Sequence, residues 1–176
     1  MSTTTTIEIP DGVEATRDGH VLTVEGPEGT VERTFSYPGI DVAGEDGAVV
    51  FSADDDRRST AATIGTFESQ IENAFHGVTE GFEYEMTVLY SHFPMQVTVK
   101  GDEVEVDNFL GEKHPRSAEI RGDTTVDVGD EEITLRGPDR EDVGQTAANI
   151  EQLTYINEKD VRVFQDGIYI TRKPEV

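Results

Sequence analysis

Apolar positions recur along this chain with two different periods. Every second residue is apolar in "LTVEG" (Leu22 to Gly26), in "VTVKG" (Val97 to Gly101) and in "DEVEVDNF", where Val104 and Val106 alternate with acids. That period predicts half-buried strands. Phe82, Tyr84, Met86, Val88 and Tyr90 extend the same alternation into a long strand that runs toward Pro94. Two other stretches change to steps of three and four: Ile64, Phe67, Ile71, Ala74 and Val78, then Val143, Ala147, Ile150 and Leu153. Each predicts a helix with one apolar face. Near the end, "VRVFQDGIYI" predicts a hairpin, with Asp166 and Gly167 as a two-residue turn between Val161, Val163 and Ile168, Ile170.

The order of these signals repeats. "LTVEG" is followed by the turn "GPEG" and then "TVERTF", with Val31 and Phe35 on one side; "VTVKG" is followed by "DEVEVDNF". This pairing spaces the two copies 75 positions apart and sets Lys100 opposite Glu25. "AVVFSADDDRRSTAATIGTFESQI" answers "EEITLRGPDREDVGQTAANIEQL", each a strand, an acid-rich turn and a helix. Here a shift of 83 sets Phe67 on Ile150 and Glu68 on Glu151. The expectation is an internal duplication of a small α+β domain, each copy an antiparallel-rich sheet packed on one helix, over residues 1–80 and 81–176.

Composition narrows the chemistry. With no cysteine, disulfides, thiolate nucleophiles and Cys-type zinc sites are excluded. The start "MSTTTTIEIP" is neither basic nor apolar, and no run of about 18 apolar residues is present to cross a bilayer. A soluble, cytoplasmic protein without a membrane partner is expected. The net charge is −23, from 37 acidic and 14 basic residues, with the acids spread through the periodic segments. A fold this charged repels itself in dilute buffer. At about 1 M salt the screening length falls to ~3 Å, so the acidity suits a saline cytoplasm. The balance is uneven: residues 1–94 hold 4 basic and 18 acidic residues, residues 95–176 hold 10 and 19. A polyanion would therefore meet the second copy, with Lys100 among its added cations.

No catalytic constellation emerges, and no cofactor or metal site is expected. Asp54, Asp55 and Asp56 precede the first helix and Asp139 the second, where carboxylates cap free N–H groups. His20, His76, His92 and His114 show no metal-ligand spacing. The remaining candidates are cations among turns and aromatics: Arg57 and Arg58 in the first copy, then Lys113, His114, Arg116, Arg121, Arg136, Arg140, Lys159, Arg162, Arg172 and Lys173. Arginine's planar fork suits phosphate oxygens. An acidic protein-binding adaptor that offers a sheet edge from each copy is the alternative reading. A hydrolase using carboxylates such as Asp55 and Asp139 is a third.

Four phrases, in order, carry a resemblance: "GVTEGFEYEM" at Gly77 to Met86, "YSHFPM" at Tyr90 to Met95, "NFLGEK" at Asn108 to Lys113 and "FQDGIYI" at Phe164 to Ile170. With the paired helices "TIGTF" and "GQTAANI", the chain resembles the family of the sixth protein of the large ribosomal subunit, in its archaeal and eukaryotic branch. The acidity points to a member from a halophilic archaeon. The resemblance implies two similar, non-catalytic α+β domains in the cytoplasmic ribosome. It implies that the second is the main binder of large-subunit (23S) rRNA, beside the sarcin-ricin stem-loop where translational GTPases dock. Neighbouring large-subunit proteins would be the other partners, and DNA would not be one. It further implies that Gly111, Lys113, His114, Arg116, Gly144, Gln145 and Asn149 lie at or near RNA, joined by Arg162, Tyr169, Arg172 and Lys173. Relatives are usually basic, and many of their positive positions are Asp or Glu in this chain.

Overall fold

The computed structural model describes residues 2–175. The chain divides between Gly81 and Phe82 into two compact units. The first unit contains β1 (Thr3–Glu8), β2 (Glu14–Asp18), β3 (Val21–Gly26), β4 (Gly29–Thr34), β5 (Ile40–Glu45), β6 (Ala48–Ala53) and α1 (Arg58–Thr79). The second contains β7 (Phe82–Leu89), β8 (Gln96–Lys100), β9 (Glu103–Asp107), β10 (Arg116–Glu119), β11 (Thr125–Val128), β12 (Glu132–Gly137), α2 (Arg140–Leu153) and β13 (Gly167–Arg172).

The two units share one topology. In the first, sheets of order β1-β6-β5 and β2-β3-β4 enclose a core with α1; in the second, β7-β12-β11 and β8-β9-β10 repeat that order with α2. All named strand pairs are antiparallel. The tandem α+β plan read from the sequence is thus present. Alternation explains the burial: in β3 Leu22 and Val24 are buried between exposed or half-buried neighbours, and in β9 Val104 and Val106 are. Phe35, Phe51 and Phe67 meet at the centre of the first unit, with ring centroids 5.1–5.7 Å apart.

The helical offset of 83 holds. Thr60, Ile64, Phe67 and Ile71 are buried along α1, and their counterparts Val143, Ala147, Ile150 and Thr154 are buried along α2 and at its end. The offset of 75 between the two phrases does not. β3 is the middle strand of its sheet and β8 is an edge strand, so "LTVEG" corresponds to "VEVDN" in β9. The hairpin β2–β3 turns at Gly19 and His20, and β8–β9 turns at Gly101 and Asp102, which gives an offset of 82. Ala15 pairs with Val24 just as Val97 pairs with Val106. Lys100 therefore stands opposite Asp18, and an acid is still exchanged for a lysine.

The terminal hairpin is also corrected. Val161 and Val163 are 53% and 86% exposed and lie outside any strand, while β13 pairs with β7. Asp166 is withdrawn from any turn tip: it is buried, and its carboxylate accepts from the Ser91 and His92 amides at 3.1 and 3.4 Å. Burying Ile168 against the core outweighs the local turn preference of Asp-Gly. At the helix starts, Asp139 is the N-cap of α2 and accepts from the Glu141 amide at 2.9 Å. α1 begins after Arg57 without a side-chain cap, although Asp55 accepts from the Arg57 amide one step earlier.

Candidate nucleic-acid interface

The second unit departs from its twin at two places. The first is the β9–β10 connection. In the first unit Val24 pairs with Val31 around the tight Pro27–Glu28 turn; in the second Val106 pairs with Arg116, so the connection is three residues longer. The added chain forms a single 3-10 turn at Phe109–Gly111, followed by an exposed Glu112–Pro115 segment. Asn108 and Leu110 both adopt left-handed backbone, at φ 60° and 54°, and among the described residues no other non-glycine does. Such strain persists only where the surroundings fix it. Here the Asn108 side-chain Nδ2 donates to the Pro94 carbonyl at 3.0 Å, and Phe109 is buried. Gly111, at φ 74°, lies so close to the Phe93 ring that a Cβ would approach it to 3.1 Å.

Arg116 holds this loop to the helix. Its guanidinium donates to both Glu112 carboxylate oxygens, at 2.8 and 2.6 Å, donates to the Leu153 carbonyl at the end of α2, and lies 4.7 Å from the Phe109 ring centroid. The Arg116 hydrogen bond holds the Glu112 carboxyl below its usual range, and the same bond raises Arg116. Arg116 thus shapes the loop, while Lys113 and His114 beside it are exposed with no ion pair among the described residues.

The second departure is everything after α2. Residues 155–166 cross from the helix end to β13, which pairs along the edge of β7, whereas among the described residues no strand flanks the outer edge of β1. Side chains of α2 secure the crossing. The Thr154 hydroxyl accepts from the Ile168 amide at 2.9 Å, and Glu151 Oε2 accepts from the Ile170 amide at 2.7 Å. Asp166 joins this segment to the loop before β8, and the His92 ring stacks on Phe164 at 5.2 Å. Lys159 Nζ lies 4.7 Å from the Phe164 centroid. Burial, then the charges of Asp166 and Glu151, raise the Tyr169 phenol above its ordinary value.

The expected residues fall into groups. Lys113, His114 and Arg116 surround the opened turn. Gln145 and Asn149 are linked by a 2.9 Å hydrogen bond on α2, and Asn149 lines a shallow cleft with Ser117 and Glu119 of β10. Lys159, Arg162 and Tyr169 belong to the terminal segment, with Arg172 and Lys173 at the end of β13 or beyond it. Lys100, Arg121 and Arg140 lie apart, at the β8–β9 turn and the start of α2. Gly144 has an internal reason for its identity, since a Cβ there would lie 2.8 Å from the Tyr84 hydroxyl. Many of the cations have carboxylate partners: Lys100 with Glu105 at 2.7 Å, Arg121 with Asp142 at 3.8 Å, Arg136 with Glu83 at 3.6 Å, Arg162 with Asp160 at 2.9 Å and Arg172 with Glu85 at 3.1 Å. Exposed pairs of this kind exchange partners at little cost. Sequence reasoning assigned Asp166 to a turn and missed Glu112 and Thr154, all of which position the loops; the partners of Asp166 and Thr154 are 75 and 14 residues away, and that of Glu112 lies on β10.

The arrangement is that of a duplicated α+β protein, with elaborated loops and a terminal strand on one copy. A family model described as Ribosomal protein L6 matches residues 9–81 and 93–167. The chain is 61% identical over 171 residues to the large ribosomal subunit protein uL6 of Natronomonas pharaonis, covering 97% of each chain. It is 62% identical over 168 residues to that of Haloarcula marismortui, covering 96% of this chain and 94% of the other, and 54% identical over 168 residues to that of Methanosarcina mazei, covering 96% of each. The chain belongs to the ribosomal protein L6 family. The expected kinship with salt-loving archaea agrees with the first two of these relatives.

Proposed function

We propose that this protein grips large-subunit rRNA mainly through its second unit, beside the sarcin-ricin stem-loop, and supports the region where translational GTPases dock. As a member of its family it is a structural constituent of the large ribosomal subunit in the cytoplasm, and not an enzyme. One observation carries the reading of the second unit as the grip. Where it departs from its own twin, it gains an opened turn with exposed Lys113 and His114 and a terminal segment with Lys159, Arg162 and Lys173.

Counterion release fades in concentrated salt, so a molar-salt ribosome needs another source of affinity. Fixed loop shape, arginine forks and hydrogen bonds to phosphate and 2′-hydroxyl groups supply it. The strained 108–111 turn, held by Phe109, Phe93 and Arg116, is a preformed shape of this sort. The remaining carboxylates face hydrated cations. Chemical footprinting of large-subunit rRNA with the full chain tests the proposal. Protection confined to the stem-loop region, reduced by Lys113→Glu with His114→Glu, is the expected result. Protection elsewhere, or protection unaffected by that pair, would overturn it.

A further inference from the structure

A cleft of about 230 Å³ opens between the end of α2, the crossing segment and β13. Its lining includes Tyr155, Phe164 and Tyr169, the cation Lys159, and the two carboxylates Glu151 and Asp166. Glu151 and Thr154 of the helix end have counterparts in α1, and the rest of the lining belongs to the part of the second unit that the first unit lacks. Resting on the rRNA reading above, we propose that this cleft receives one unpaired nucleobase of the bound RNA, with guanine preferred.

Size argues first. Small-molecule sites enclose about 300–1,000 Å³, so this cleft suits a single planar ring system rather than a larger ligand. Aromatic lining comes second. Phe164 is already engaged by His92 and Lys159, but Tyr155 is 65% exposed, a large ring left in water beside the cleft mouth. Splayed-out bases of folded RNA stack on such rings. Lys159, held over Phe164, brings a positive charge to the same wall, where the backbone phosphate of an inserted nucleotide needs one.

The carboxylates decide the chemistry of the occupant. An anion is repelled by Glu151 and Asp166, which excludes a phosphate inside the cleft. An apolar protein side chain would leave the Glu151 carboxylate against hydrocarbon, while Asp166 is already engaged by the Ser91 and His92 amides. A carboxylate offers about four lone-pair directions, and the Ile170 amide uses one of Glu151's. The cleft therefore calls for N–H donors on a flat ring. Guanine presents two adjacent donors, N1–H and N2–H, on its pairing edge, whereas adenine and cytosine place an acceptor beside their amine and uracil sets its one donor between two carbonyls.

The test uses the full-length protein with isotope-labelled tyrosine rings, followed by NMR in molar KCl during titration with GMP, AMP, CMP and UMP. Ribose 5-phosphate and p-cresol serve as controls for an anion site and for a protein side chain. The expected result is movement of the Tyr155 and Tyr169 ring signals, tightest with GMP and absent with both controls. Tyr155→Ala, at a position exposed enough to leave the fold intact, weakens GMP by at least ~10-fold. Glu151→Gln, which keeps an acceptor for the Ile170 amide, removes the preference for guanine over adenine. No response to GMP, an equal response to either control, or a guanine preference that survives Glu151→Gln would overturn the proposal. Binding of an rRNA fragment by the same samples separates the two readings. Fragment binding without a GMP response removes the base site alone, and loss of fragment binding removes the rRNA reading first.

Discussion

Individual residues in the second unit divide into those that shape loops and those left to meet a partner. Arg116 was legible as a cation near a glycine turn, but its three-way engagement with Glu112, Leu153 and Phe109 was not, because those partners lie on different elements. The Glu112 carboxyl is held low by the Arg116 hydrogen bond, so its folded pKa lies below its unfolded value. It therefore contributes stability above the unfolded pKa of about 4.3, and that contribution is lost as pH falls through the lower folded value. Denaturant melts across the acid range should show wild type more stable than Glu112→Gln near neutrality, with the two converging as the solution becomes strongly acidic. Gly144 gives a second residue-scale outcome. If the Tyr84 hydroxyl is what excludes a side chain there, Gly144→Ala should stabilise a Tyr84→Phe background by up to ~1 kcal/mol through helix propensity, and stabilise wild type less.

Elements were read well where one face is buried and poorly where strands had to be told apart. The helical faces, with Ile64 and Phe67 answering Ala147 and Ile150, fixed both position and offset, because a 3.6-residue period over many residues has one solution. Strands offer only alternation, and every strand alternates. "LTVEG" and "VTVKG" look alike because each ends at a turn, yet one lies in the middle of its sheet and the other at an edge. The terminal hairpin failed for a related reason. Asp166–Gly167 has turn chemistry, but its carboxylate binds the 91–92 backbone and its neighbour Ile168 enters the core, neither of which local sequence records. The Asp139 cap, by contrast, was visible in sequence and present in structure. Asp139→Ala should cost ~1 kcal/mol of stability in thermal or denaturant melts, without altering rRNA footprints.

At the scale of the molecule, duplication supplied a built-in comparison: two units with one strand order, of which the second carries the opened turn, the extra strand and most of the cations. The duplicated α+β plan was legible in the sequence, but the loops at which the units differ took their conformation from tertiary contacts. Charge and geometry now make a joint statement. On the proposed rRNA reading, a net charge of −23 weighs against a grip built on general attraction to phosphate and places the affinity in loops whose shape is fixed before binding. Binding of the full chain to its rRNA fragment, measured from dilute buffer to molar KCl with circular dichroism recording the fold, tests this most directly. The account predicts that affinity persists or rises into molar KCl, with a shallow dependence on salt. Tightest binding in dilute buffer, with the fold intact there and a steep loss as KCl is added, would contradict it.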